Sequence, residues 1–224
     1  PWNPVGRVLS PAELDAVATL SSRYRVPVFA DEIHSPLVLD PDATHTCYGS
    51  RPAAEEDLTF TATAVSKGWN IPGLMCAQLI ASGGARASWE ASAPSAHLAD
   101  ETAALGARAA AAALTPEGLA WIRTVRGYIR GNAELVAEML ADVDGVEMTA
   151  PTGTYLAWLD CSGLDLQGTA PARFFRREPG VAMSPGAAFG RGYERFCRLN
   201  LATGRGIAAR IAQRLAREVG ALRA

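Results

Sequence analysis

Between residues 11 and 24, Leu14, Val17 and Leu20 recur at the spacing that lines one side of a helix. Ser10 stands ahead of them as an N-cap, Pro11 suits the first helical position, and Glu13 follows the cap by three residues. "PAELDAVATLSSRY" is therefore predicted to be a helix closed by a capping box. The next apolar segment, "VPVFADE" at 26–32, is short, continuous and ends in acid, as a buried parallel strand does. "LTFTATAV" at 58–65 and "LMCAQLIAS" at 74–82 have the same form. Strands of this kind alternating with a helix predict an α/β layer with mostly parallel pairing.

Over 95–142 the pattern changes. Alanine-rich "AALGARAAAAAL" runs to Leu114, and a helix fully explains its low-complexity core at 107–113. A second long helix is predicted from "TPEGLAWIRTVRGYIRGNAELVAEMLAD", with Thr115 as N-cap, Pro116 at the first position and Glu117 in the first turn. Beyond Asp142, "GVEMT", "TYLAWLD" and "RFCRLNLA" read as strands, with helices around 170–177 and 203–222. The expected organisation is an α/β body over 1–114 and a smaller α+β domain, with its linking helix, over 115–224.

Composition adds exclusions. The 224 residues are 49% hydrophobic, which is ample for a packed core. Charged residues are 20% with a net charge of -2, which argues against the clustered basic surface that nucleic acid requires. No apolar run approaches the roughly 20 residues that span a bilayer, and no secretory pattern opens the chain. Cys47, Cys76, Cys161 and Cys197 are scattered without a C-x-x-C pair, and His34, His45 and His97 are the histidines available, so no zinc site is expected. The cysteines read as buried free thiols in a reducing cytoplasm.

Chemistry in a parallel sheet gathers at the carboxyl ends of its strands. Three such places carry reactive groups: "NPVG" at the start, "ADEIH" after the first strand, and "SKGWN" after the second. Asp31 falls at the rim of a buried sheet, where a carboxylate serves as a helix cap, an ion-pair partner or a site group. Lys67 is either a solvated surface amine or a half-buried one able to attack a carbonyl. Lysine and acid together suit pyridoxal phosphate (PLP). That cofactor needs an amine for a Schiff base, an acid against its pyridinium nitrogen, and a donor to its ring hydroxyl. Asn3 is a candidate for that donor, and His34, three residues past Asp31, is either a second group near the same oxygen or a capped, partly buried histidine.

"NPVGR", "ADEIHSPLV", "SKGWNIPGL", "GTYLAWLD", "SPGAAFG" and "RFCRLNLA" occur in this order, with Asp31 28 positions after Asn3 and Lys67 36 after Asp31. In these motifs the chain resembles the class I/II aminotransferase-like enzymes of PLP fold type I, and within them the MalY/PatB branch of cystathionine β-lyases and other C-S lyases. The resemblance implies a large, mostly parallel sheet domain with a smaller C-terminal domain. It makes Lys67 the Schiff-base lysine and base for the substrate α-proton, Asp31 the partner of the pyridinium nitrogen, and Asn3 the ligand of the ring hydroxyl. His34 stands where many relatives carry a tyrosine. Thr63 or Ser66 would reach the phosphate, and Arg198, inside the apolar run "FCRLNLA", would grip the substrate α-carboxylate, against the alternative of a surface ion pair. Gly153 and Tyr155 would approach the substrate, and "SPGAAFG" would form a loop at the pocket mouth.

The resemblance further implies a cytoplasmic homodimer acting on a small amino-acid substrate, with no nucleic-acid or membrane partner. The expected activity is β-elimination from cysteine S-conjugates; the alternatives are an aminotransferase and a non-catalytic or regulatory module. Because "PWNPVGR" opens without an initiator methionine and already inside a motif, the chain is expected to be the C-terminal portion of such an enzyme, with an exposed sheet edge and poor activity by itself.

Overall fold

A computed structural model describes residues 1–177 and 180–222. Helix α1 (Pro11–Tyr24) starts as its sequence requires: the Ser10 hydroxyl accepts the Glu13 N–H at 3.3 Å, and the Glu13 carboxylate accepts the Ser10 N–H at 2.8 Å. The buried stripe of α1 is Leu14, Ala18 and Ser21, with Leu14 and Ala18 packed on Tyr48, Val28 and Ala30. Val17 and Leu20, predicted to share that stripe, are 43% and 54% exposed. The steps of four and three residues from Leu14 to Ala18 to Ser21 turn the inner face away from them.

Strands β1 (Val28–Asp31), β2 (Thr59–Thr63) and β3 (Gln78–Ala81) form one sheet in the order β1-β2-β3. The β1–β2 pair is parallel, with Asp31 beside Ala62, whereas β2–β3 is antiparallel, with Ala62 beside Leu79. The expectation of mostly parallel pairing therefore holds for one of these two pairs. Parallel neighbours need a crossover, usually a helix; residues 64–77 supply only a tight turn and a short 3-10 helix at Pro72–Leu74, so the chain doubles back. Phe29 and Ile80 remain 59% and 57% exposed on this sheet.

Helices α2 (Gly83–Glu90) and α3 (Ala93–Asp100) follow, neither marked by an apolar period in the sequence. The alanine run forms α4 (Ala104–Ala113). Gly106 is the residue that lets α4 approach the sheet connection: a Cβ there would stand 2.1 Å from the Leu74 carbonyl oxygen. Gly106→Ala is expected to lower stability by about 1–3 kcal/mol, the usual cost of overpacking, read as a drop in the urea midpoint; an unchanged midpoint would show that the approach is not required.

Helix α5 (Pro116–Leu140) opens with the Thr115 hydroxyl accepting the Gly118 N–H at 3.3 Å. The chain divides within α5, between Thr124 and Val125, rather than ahead of it at 114/115. Pro1 and Val8–Thr124 form one compact unit, and Trp2–Arg7 with Val125–Ala224 form the other. In the second unit, β4 (Glu147–Thr149), β5 (Leu156–Asp160), β6 (Ser184–Pro185) and β7 (Phe196–Asn200) make an antiparallel sheet in the order β4-β5-β7-β6, accompanied by α6 (Pro171–Arg177) and α7 (Arg205–Ala221). Leu159, Cys197, Leu199, Ala212 and Leu215 are buried in its core. Asn132 of α5 is fully buried and donates from Nδ2 to the carbonyls of Leu201 and Thr203, at 2.9 and 2.8 Å, which ties down the chain leaving β7. Among the described residues, no helix is long and apolar enough to cross a membrane. All four cysteines are free thiols; Cys161 and Cys197 are buried, as expected, while Cys47 and Cys76 are only partly so.

Candidate functional site

In the first unit, Ala64 and Val65 run inward from the end of β2, and Val65 joins a core with Ala110 and Ala113. The next residues form a tight turn: the Trp69 N–H donates to the Val65 carbonyl and the Ile71 N–H to that of Ser66, each at 3.0 Å. The Trp69 ring packs on the same core, and its Nε1 donates to the Gly118 carbonyl at 2.9 Å. Gly68 is buried against Pro36, whose Cβ would lie 3.0 Å from a side chain there. Val65, Gly68 and Trp69 thus face inward and fix the turn, while Ser66 and half-buried Lys67 line a cleft of about 830 Å³. Asn70 and Met75, both in the left-handed region at φ 55° and 46°, and the 3-10 helix between them carry the chain away into β3.

The cleft is lined mainly by apolar groups, among them Phe29, Ala62, Leu79 and Trp89. Ala62 and Leu79 are direct cross-strand neighbours, and Asp31 pairs with Ala62, so Asp31 projects from the sheet face that lines the cleft. Its carboxylate is exposed, and Oδ1 accepts the Ile33 N–H at 3.2 Å. Thr63 alternates to the opposite face of β2 and does not line the cleft, whereas Ser66 does. His34 is buried at the start of a short 3-10 helix and also lies outside the cleft lining.

Glu32 has a distinct part that the sequence did not reveal. Its carboxylate accepts the Tyr48 N–H at 2.7 Å and pairs with His45 Nε2 at 2.9 Å, so it binds the loop at 45–48 back to the end of β1, next to Asp31. Burial alone would raise its pKa. The bonds from His45, the Tyr48 amide and the Cys47 thiol outweigh burial and hold it below the ordinary 4.5. A depressed carboxyl pKa contributes stability above the unfolded-state value, and that stability is lost as pH falls through the folded-state value. Glu32→Gln is accordingly expected to cost about 1–3 kcal/mol at pH 7 and to flatten the acid side of the stability profile below pH 4.5. Urea midpoints measured at several pH values check this; parallel profiles for variant and parent would remove Glu32 from the account.

In the second unit the opening segment makes a closed turn, with the Gly6 N–H donating to the Trp2 carbonyl and the Trp2 N–H to that of Arg7, each at 2.7 Å. Gly6 has φ 77°, and a Cβ on it would stand 2.7 Å from the Leu156 carbonyl oxygen, so glycine permits both the turn and its contact with the edge of β5. This holds Asn3 beside β7, where the Arg198 Nη1 donates to its Oδ1 at 2.7 Å. With Oδ1 taken, the Asn3 amide retains its Nδ2 hydrogens as donors. Arg198 also donates from Nη2 to the Ser184 hydroxyl at 3.1 Å. The Tyr155 phenol lies near this charge; burial pushes its pKa up and Arg198 draws it partly back. Asn200 shares the Arg198 face but turns its Oδ1 to the Ala202 N–H, 2.8 Å away. The fold thus gathers Lys67, Ser66 and the Asp31 face in one unit, and Asn3 with Arg198 in the other.

Known proteins match this chain along most of its length. A family model described as aminotransferase class I and II matches residues 1–213. The chain is 34% identical to a cystathionine β-lyase of Corynebacterium glutamicum over 92% of its own length and 54% of that protein's. It is 33% identical to the cystathionine β-lyase PatB of Bacillus subtilis, over 89% of its own length and 51% of the relative's. Superposition on the crystal structure of the PLP-bound C-S lyase from Staphylococcus hominis gives a TM-score of 0.86 at 25% identity, covering 98% of this chain and 56% of that one. The chain spans about half the length of the curated relatives it matches. On these matches, and with the α/β architecture shared with PLP-dependent fold type I enzymes, the chain belongs to the aminotransferase class I and II family.

Proposed function

We propose that this chain is part of a PLP-dependent C-S lyase that cleaves the Cβ–S bond of cystathionine or a related cysteine S-conjugate. With one water consumed, the products would be a thiol, pyruvate and ammonia. The observation that carries this reading is the placement of the half-buried Lys67 amine in a cleft on the Asp31 face of the first sheet. The names and structures of the relatives support the reaction class.

The residues present fit the cofactor. Lys67 supplies the amine that would hold it, and the adjacent Ser66 supplies a hydroxyl in the same cleft for its phosphate. Asp31 keeps its Oδ2 for the pyridinium nitrogen, since Ile33 engages Oδ1. Asn3 offers its Nδ2 hydrogens to the ring hydroxyl. His34 and Thr63 are weaker candidates, His34 because it is buried away from the cleft lining and Thr63 because it lies on the other sheet face. When bound, the cofactor supplies an electron sink for the charge that develops at the substrate Cα.

The chain's own groups would do the rest. The planar Arg198 fork binds the α-carboxylate and fixes the direction of the Cα–H bond. The Lys67 Nζ removes that proton as general base, leaving the thiolate to depart from Cβ. The apolar lining of Phe29, Leu79 and Trp89 suits the side chain of a thioether. The first unit would serve as the C-terminal part of the cofactor-binding domain and the second as the small domain. Further structure would cover Phe29 and Ile80, with the protein acting as a homodimer.

An assay without added keto acid tests the reaction class. Cystathionine and PLP are supplied to the protein, in a form as long as its relatives, and pyruvate and thiol are followed. Steady release of both supports a lyase; turnover that stops until a keto acid is added makes the protein an aminotransferase instead.

A further inference from the structure

The motif "SPGAAFG" has no part in the chemistry above, yet its residues surround Arg198. Trp158 on β5, Arg198 on β7 and Ser184 on β6 are direct cross-strand partners, so all three project from one face of the second sheet. The guanidinium is held from three directions. Nη1 donates to Asn3, Nη2 donates to the Ser184 hydroxyl, and Cζ lies 4.9 Å from the centre of the Phe189 ring. Phe189 is itself fixed, meeting Trp158 edge-on at 5.5 Å, while Trp158 stacks on Phe196 at 5.3 Å with the rings 13° apart. Tyr193 closes the group, edge-on to both Trp158 and Phe196, at 5.9 and 5.6 Å.

The motif's own sequence builds this arrangement. Ser184 and Pro185 pair with β7, and the chain then folds back over the strand at Gly186. A Cβ at Gly186 would lie 2.1 Å from the Tyr193 carbonyl oxygen, so only glycine lets the loop come close enough to place Phe189 on Arg198. Gly190, at φ 142°, then releases the chain.

We propose that Ser184 is a positioning residue for Arg198 and that Phe189 is the platform on which the guanidinium lies. The inference rests on the reading of Arg198 as the carboxylate grip. With Cζ over the Phe189 ring and both terminal nitrogens tethered, rotation of the guanidinium is restricted. A planar two-oxygen ligand must approach in its plane, where the remaining N–H groups point. Substrate affinity is then bought through order in the arginine before the ligand arrives.

Ser184→Ala and Ser184→Thr test this. In the 224-residue chain, the Arg198 side-chain N–H signals are followed by NMR and assigned by their loss in Arg198→Ala. Restricted rotation in the parent and in Ser184→Thr, with free rotation in Ser184→Ala, is the expected result. In the protein at its relatives' length, Ser184→Ala should raise KM about tenfold, leave kcat within about twofold, and be largely rescued by Ser184→Thr. Unchanged rotation in Ser184→Ala, or threonine performing no better than alanine, overturns the proposal. An Arg198→Ala variant with unchanged KM overturns the carboxylate reading itself. A raised KM in Arg198→Ala beside a parent-like Ser184→Ala overturns the role of Ser184 alone.

Discussion

Lys67→Ala is expected to abolish covalent capture of PLP and to cut turnover by about 10²–10⁴-fold, the range for loss of a positioned base. The side chain is the one amine in the cleft lining, and the turn that carries it is fixed from within by Val65, Gly68 and Trp69. Removing the amine should therefore leave the turn intact. Borohydride reduction followed by peptide mass analysis reads the result: the parent should carry a pyridoxyl group on the peptide containing residue 67, and the variant none. Lys67→Arg sharpens the test, since it keeps the positive charge but cannot lose a proton to become a nucleophile. It should fail like alanine. Lys67 is the single lysine of the chain, so equal labelling of parent and Lys67→Ala, or label on the Pro1 terminus in its place, would remove Lys67 from the mechanism.

The second large effect is expected at Arg198. Two charge-assisted hydrogen bonds to a carboxylate, each worth about 1.5–3 kcal/mol, make a loss of about 10²–10⁴-fold in kcat/KM the expected cost of Arg198→Ala. Arg198→Lys should recover little of it. An ammonium is a point charge with no fork, and it cannot occupy the Asn3 and Ser184 tethers together while sitting over Phe189. Kinetics with a substrate and with its decarboxylated amine separate the contributions. The amine should react equally slowly with parent and variant if Arg198 serves the carboxylate, and a parent that discriminates no better than the variant would refute that role.

Much of this chain's local structure was legible in its sequence. The capping box at Ser10 and Glu13 and the Thr115 cap follow from side chains that satisfy nearby backbone groups, and the three strands of the first sheet from short continuous apolar runs. Such signals are local, so they survive without knowledge of the fold. The candidate residues were legible for a related reason. A lysine and a carboxylate at the ends of apolar strands drew notice as a pair, and order and spacing then tied Asn3, Asp31, Lys67 and Arg198 to a family that the comparisons bear out.

What needed the tertiary structure was whatever depends on contacts between distant residues. The antiparallel turn of β3, the helix stripe built on Ala18 in place of Val17, and the division of the chain inside α5 are decided by packing that no window of sequence contains. The same is true of the cleft lining, which includes Ser66 in the turn beyond β2 but not Thr63, whose side chain lies on the opposite face of the strand. Glu32 reads in sequence as a second acid after Asp31, and only the folded loop makes it the anchor for His45 and Tyr48. Phe189 in sequence is an aromatic of core or pocket wall, and only the pairing of β7 with β5 and β6 brings it against the guanidinium. The sequence by itself determined which groups are present and which local elements carry them. The tertiary structure decided which of those groups meet, because direction and distance between remote side chains are set by packing and strand register.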